Sequence, residues 1–323
     1  MQDGFTLGLS EPRPLGATPL GPVPLPMGSY VVVLESEDGR AAVRYPVHIR
    51  RNRDWSGEVR LYDPDDVGGG RDLVHVSAGP FVSGGDPLAF NGEPRAEPEL
   101  GDYAIGRYPV TMGEYLEFLN DLADREGLAA AKARAPRPPG EGAATYFVES
   151  PDGGRLQLPA DADEYGDVWD RRLPAMGASW HDANAYCGWL SDREGRLFEL
   201  PTEQQWEKAA RGVDGRWFPW GNEFDPSLAN TVGSLPERLT IVSVDESPAD
   251  ESVYGVRAMG GNVRDWTASD GSRGAERARG SRVVRGGTAY WEPHWSRCAS
   301  RGLFDPDSVD ATVGFRLMAR LDG

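Results

Sequence analysis

Cysteine is nearly absent from this chain: Cys187 and Cys298 are the only two in 323 residues. That is too few for a disulfide scaffold and agrees with a reducing compartment. Histidine is scarce as well, and the four at 48, 75, 181 and 294 show no metal-ligand spacing. No apolar run approaches the roughly 18 residues that a membrane helix needs. No charged-then-apolar leader opens the chain either, so a soluble, cytoplasmic protein is expected. Positive charge is in deficit, with 34 Lys plus Arg against 51 Asp plus Glu and a net charge of −17. Such a surface repels phosphate and excludes nucleic acid as a partner. With 41 Gly and 26 Pro, turns and irregular loops outweigh long helices.

The 39% hydrophobic content over this length suffices for one large domain or two smaller ones. Residues 5–63 alternate turn signals with short β-rich runs at 29–34, 43–49 and 58–62, and Glu37-Asp-Gly-Arg40 reads as a hairpin turn with Gly39 at the positive-φ position. A small all-β module is expected over 1–66. The acidic, glycine-rich run from Asp63 to Gly70 marks a boundary, after which 67–323 forms a second domain. Its first strands are expected at 74–85 and 103–111.

Three helices are legible by periodicity and capping. Thr111 caps 112–122, where Tyr115, Leu116, Leu119 and Leu122 share a face; Ser179 caps 180–190; Pro201, Thr202 and Glu203 open 203–211. Cys187, inside the second, reads as a core thiol. Residues 126–172 are rich in Ala, Pro, Gly and acid and read as a long insertion carrying one hairpin at 145–158. Near the C-terminus Val283-Val284 is a short buried strand, and Gly286-Gly287 breaks it where a side chain would obstruct a turn or a close backbone approach. An aromatic-rich loop follows.

The motifs Gly106-Arg-Tyr-Pro-Val-Thr111, Ser179-Trp180, Leu200-Pro-Thr-Glu203, Trp206-Glu207, Phe218-Pro-Trp-Gly-Asn222, Gly261-Asn-Val-Arg-Asp-Trp266, Arg285-Gly-Gly287 and Gly314-Phe-Arg316 stand in this order. Together they resemble the formylglycine-generating enzyme, or sulfatase-modifying factor, domain over about residues 72–321. The resemblance implies an α+β fold, a variant of the C-type lectin fold low in regular secondary structure. The stretch from Leu15 to Leu34 resembles the PEGA β-sandwich modules, which implies a spacer or docking surface ahead of the main domain.

In the resembled family, oxidases that convert a peptide cysteine to formylglycine hold copper through two thiols in the loop after Arg-Gly-Gly, consistent with soft thiolates selecting Cu(I). Between Gly287 and Cys298 this chain has no cysteine, and Cys298 matches a cysteine that is structural in the family. No copper is expected, and an enzyme is the less favoured reading. The resemblance implies a structural calcium site at Asn262, the Val263 carbonyl and Asp265, with oxygen ligands suited to that ion.

A non-catalytic recognition module is therefore expected, binding a protein or small-molecule ligand at the 288–308 loop. Tyr290, Trp291 and Trp295 would be stacking anchors, Glu292, His294, Ser296 and Arg301 polar readers, and Phe304 the edge. Some relatives of the lectin fold carry retroelement-diversified residues in this loop, and others are fused to or associated with bacterial protein kinases, so both are implied contexts. The alternative is a formylglycine-type oxidase with Trp266, Thr288, Tyr290 and Arg301 lining a cleft. A third reading is an adaptor that holds partners through the acidic 126–172 insertion.

Overall fold

The computed structural model describes residues 10–162, 166, 168–235, 239–271 and 280–321. The outer ends of both expected domains and part of the 126–172 insertion lie outside the described residues. Two antiparallel strands come first, β1 (Gly28–Glu35) and β2 (Ala42–Ile49), joined by the expected turn with Gly39 at φ +70°. Residues 58–62, expected as a strand, run without a ladder partner. Among the described residues the N-terminal segment is thus one two-stranded sheet and not a sandwich. Of its apolar side chains Val43 and Val47 of β2 are buried, whereas Val33 of β1 is exposed with no second sheet over it among the described residues. Tyr62 meets the His75 ring edge-on at 5.0 Å, and Arg44 pairs with Glu251 at 2.7 Å. Where hairpin and domain meet, Tyr45, Trp55, Phe81 and Tyr254 line a cleft of about 200 Å³.

The boundary holds a short helix, α1 (Pro64–Gly68), capped by Asp63. The main domain then runs through β3 (Leu73–Val76), β4 (Gly79–Pro80), β5 (Glu99–Leu100), β6 (Tyr103–Gly106), α2 (Met112–Glu126), α3 (Leu128–Ala133), β7 (Val148–Glu149), β8 (Leu156–Gln157) and α4 (Trp180–Glu194). It continues through β9 (Phe198–Glu199), α5 (Glu203–Arg211), β10 (Arg264–Asp270), β11 (Arg282–Arg285), a 3-10 turn at Pro293–Ser296, β12 (Arg301–Phe304), β13 (Val313–Phe315) and β14 (Met318–Arg320). The mixture of few helices and short strands is the expected α+β class. The hairpin expected in the insertion is β7–β8.

Each of the three long helices starts on a capping box: Thr111 with Glu114, Ser179 with Asp182, Thr202 with Gln205. A side-chain cap satisfies an otherwise orphaned N–H and is worth about 0.5–2 kcal/mol. Two four-stranded sheets carry the domain, one in the order β12-β11-β10-β13 and the other β3-β6-β14-β9. Only the β10–β13 pair is parallel within them.

The helices α2 and α4 bury their apolar faces in one core, where Tyr115 stacks on Tyr186 at 5.6 Å and Phe118, Trp189 and Phe315 close around them. A second core gathers Trp206 of α5 with Val74, Ile105, Met259, Cys298 and Met318. Between the sheets lies Arg316, fully buried. Its Nε donates to Asp265 Oδ2 at 2.6 Å, and its other nitrogens donate to the carbonyls of Gly106 at 3.1 Å and Ala258 at 3.0 Å. The same carboxylate oxygen accepts the Trp206 indole N–H at 2.7 Å.

Breaking one side of such a buried pair strands the other charge at a cost of about 3–5 kcal/mol. Arg316→Met should lower unfolding free energy by about that amount in urea titrations, and adding Asp265→Asn should restore part of it. A loss in the double variant equal to the sum of the losses in Arg316→Met and Asp265→Asn alone would show that the pair does not couple.

A second titrating group predicts a pH effect. Burial lifts the Asp250 carboxyl to about 7 although the Gly260 and Gly261 N–H groups donate to it at 2.9 and 3.1 Å. The folded chain therefore keeps a proton that the unfolded chain, with an ordinary Asp near 3.8, has lost. The resulting stability is present below about pH 4 and is lost as pH rises through about 7. The melting temperature of wild type should fall between pH 5 and pH 8 by more than that of Asp250→Asn in parallel thermal melts.

Candidate functional site

Strand β11 is followed by Gly286, with φ +96°. A Cβ on Gly287 would lie 2.1 Å from the Gly260 carbonyl oxygen, so the two backbones touch only because this residue is glycine. The Ala289 N–H then donates to the Asn262 carbonyl at 3.1 Å. Past this anchor the turn is held weakly. The Trp291 N–H reaches the Thr288 carbonyl at 3.4 Å, and the Tyr290 N–H reaches Thr288 Oγ1 at 3.4 Å, both at the long limit of hydrogen bonding. Order returns at the 3-10 turn, where the Trp295 N–H donates to the Glu292 carbonyl at 3.0 Å. Strand β12 is then tied to residue 90 from both sides: the Arg301 N–H donates to the Phe90 carbonyl at 2.9 Å, and the Phe90 N–H donates to Ser300 Oγ at 3.1 Å.

The loop divides the eight expected ligand-binding residues into two groups. Tyr290 and Trp291 are exposed, at 41% and 39%, beside exposed Glu292 and half-buried His294, whose Nδ1 lies 3.4 Å from the Glu292 carboxylate. Trp295, Ser296 and Arg301 are interior, which corrects their expected placement on the face. The segment around Phe90 covers Trp295 and Arg301, while Ser296 lies against Gly287. The Phe90 ring centroid sits 4.0 Å from that of Trp295, and Arg301 is held by Glu203 at 2.6 Å and by Glu93. Phe304 is half-buried against Trp266 at 6.1 Å. Of the residues expected to line an oxidase cleft, Trp266, Thr288 and Arg301 are buried and only Tyr290 reaches the surface.

Beneath the exposed rings lies Arg264, the first residue of β10 and 1% exposed. Its guanidinium carbon is 4.0 Å from the Trp295 ring centroid, 4.8 Å from that of Trp291 and 5.7 Å from that of Phe304. Its Nε and both terminal nitrogens are buried without a hydrogen-bond partner among the described residues. Burial pulls its pKa down to about 10, with Asp310 opposing the shift, so it is charged at neutral pH. The Asp310 carboxylate is itself engaged, accepting from the N–H and hydroxyl of Thr312 at 2.7 and 2.6 Å. Each cation–π contact is worth about 0.5–2 kcal/mol, whereas an unpaired buried charge costs several kcal/mol. Aromatic stacking alone leaves this cation under-compensated.

The insertion reaches the same place. Tyr146 packs on Trp169 with ring centroids 4.8 Å apart. Its hydroxyl is pushed well above the usual tyrosine range by burial first, then by Asp310 and Tyr290.

At the residues expected to hold calcium, most side-chain oxygens already have partners, and Asp265 Oδ1 is buried with none among the described residues. Asn262 Oδ1 accepts from the Asn230 amide and the Val242 N–H, each at 3.0 Å, and Asp265 Oδ2 already holds Arg316 and Trp206. Among the described residues no three His, Cys, Asp or Glu side chains form a group able to hold a metal ion. Both thiols are buried. Burial raises Cys187 above the range in which a thiolate forms and pushes Cys298 up to about 12, which favours the inert thiol form.

Two residues of this face escaped the sequence reading. Phe90 gave no signal, being a single aromatic in a glycine-rich stretch. Arg264 gave one, as a charge between Val263 and Trp266 in a segment that is otherwise buried.

Residues 59–321 match the family described as sulfatase-modifying factor enzyme 1-like domain. The chain is similar to inactive C-alpha-formylglycine-generating enzyme 2 of Mus musculus, with 30% identity over 293 residues that cover 76% of this chain and 84% of that one. It is also similar to the formylglycine-generating enzyme of Thermomonospora curvata, 29% identical over 306 residues that cover 81% of this chain and 97% of that one. In fold it is similar to PvdO from Pseudomonas aeruginosa, with a TM-score of 0.59 and 23% identity over 83% of this chain and 100% of that one. No helix among the described residues is long and apolar enough to cross a membrane. The chain belongs to the sulfatase-modifying factor family and carries its C-type-lectin-like α+β fold.

Proposed function

We propose that this protein is a non-catalytic recognition module that binds a protein or small-molecule ligand on the face formed by Tyr290, Trp291 and Phe90. One observation carries the reading: the loop presents two exposed rings, Tyr290 and Trp291, with no thiol between Gly287 and Cys298, while Cys187 and Cys298 are both buried. Rings of this kind, among polar tips such as Glu292 and His294, give large contact area at low entropic cost. The relative named as an inactive formylglycine-generating enzyme supports the same reading, and the relative named as an active one supplies the competing outcome.

A sulfatase-type cysteine peptide incubated with the protein, Cu(I), reductant and oxygen should keep its intact mass. Conversion of the thiol to an aldehyde would overturn the proposal and assign an oxidase. The face also predicts a split in stability. Trp291→Ala should cost about 1 kcal/mol or less, as for a partly exposed side chain, whereas Trp295→Ala should cost about 3–5 kcal/mol through the cavity it leaves. Urea denaturation of the two variants measures the difference, and equal losses would mean that Trp291 is a structural residue and not a presented one.

A further inference from the structure

The recognition face leaves one group unexplained. The chain buries several cations, and their charges are answered in different ways. Arg285 and Arg211 share the Glu207 carboxylate at 2.6 and 2.7 Å. Arg301 has Glu203 and Glu93, Arg316 has Asp265, and the Lys208 ammonium donates to the carbonyls of Ser77 and Gly79 at 2.6 and 2.9 Å. Arg264 alone among these has all its side-chain nitrogens without a partner among the described residues. It is also the one that lies directly under the exposed loop, between Trp295 on its inner side and Trp291 toward solvent.

We propose that Arg264 is the charge reader of a ligand site, in which a carboxylate carried on an apolar or aromatic body displaces the Trp291 indole and pairs with the guanidinium. The inference rests on the recognition reading and names the ligand class for that face. A guanidinium fork matches the two oxygens of a carboxylate, and the pairing supplies the hydrogen bonds that the rings cannot. A dianionic phosphate fits less well, because one cation would face two charges beside Asp310 and Glu292 on a chain of net charge −17. The rings that now coat Arg264 would hold the ligand's apolar body. Entry is through the weakest part of the loop. The Trp291 N–H bond to the Thr288 carbonyl, at 3.4 Å, opens as the indole moves, while the anchors at Ala289, Trp295 and Arg301 stay closed.

The test uses indole-3-acetate and its uncharged amide as probes, titrated into the full chain by isothermal calorimetry at neutral pH. The acid should bind saturably and at least tenfold more tightly than the amide. Arg264→Met should remove that preference, and Arg264→Lys, which keeps the charge but not the fork, should retain part of it. Thermal melts of both variants show whether they are folded; if Arg264→Met is not, Arg264→Lys carries the comparison. Equal binding of acid and amide, lost on Trp291→Ala, would overturn the carboxylate inference and leave the recognition face standing. Absence of saturable binding by wild type up to millimolar probe would overturn the inference, and the cysteine-peptide assay decides separately whether the recognition reading falls with it. An unchanged acid preference in folded Arg264→Met would also overturn it, since the charge reader would then lie elsewhere.

Discussion

The ion pair between Arg316 and Asp265 is the constraint on which the domain turns. The carboxylate belongs to β10 in one sheet, the guanidinium follows β13 of that sheet, and its other donors close on Gly106 at the end of β6 in the other. Trp206 of α5 shares the same carboxylate oxygen. Two sheets and a helix are thereby fixed to one charge pair from which water is excluded. In such surroundings a pair is strong only when its remaining donors are satisfied, and those of Arg316 are met by backbone carbonyls. The base of the C-terminal loop inherits this rigidity, since Ala258 accepts from Arg316 while the neighbouring Gly260 supports Gly287.

The acidic chain uses its positive charges inward. Glu207 answers Arg211 and Arg285, and Glu203 answers Arg301, so segments distant in sequence are held by charge-assisted bonds where long strands and helices are few. Arg264 departs from this pattern. It is held by rings and by a bond from its backbone N–H to the Thr312 carbonyl at 2.9 Å, and its side-chain nitrogens have no hydrogen-bond partner among the described residues.

Much of the fold was legible because its signals are local. Capping residues Thr111, Ser179 and Thr202 sit three positions before the groups they pair with, and the insertion's hairpin is marked by turn residues next to its own strands. Gly287 was readable as a close approach although its partner, Gly260, was not. The loop failed in part because burial there is decided by contacts across the chain. Trp295 and Arg301 carry the same residue types as an exposed binding face, and what hides them is Phe90 and Glu93, about two hundred residues earlier in the sequence. The strand expected at 58–62 failed for a related reason: alternation identifies a half-buried segment but does not say whether a sheet or a domain surface covers it.

The distribution of hydrogen bonds around the loop separates what holds the face in place from what the face displays. Gly287, Ala289 and Arg301 are fixed through backbone atoms, and Trp295 fills the interior, whereas the side chains at 290, 291 and 292 are exposed to solvent. A substitution among those three positions therefore alters the surface offered to a ligand while leaving intact the backbone contacts that place the loop.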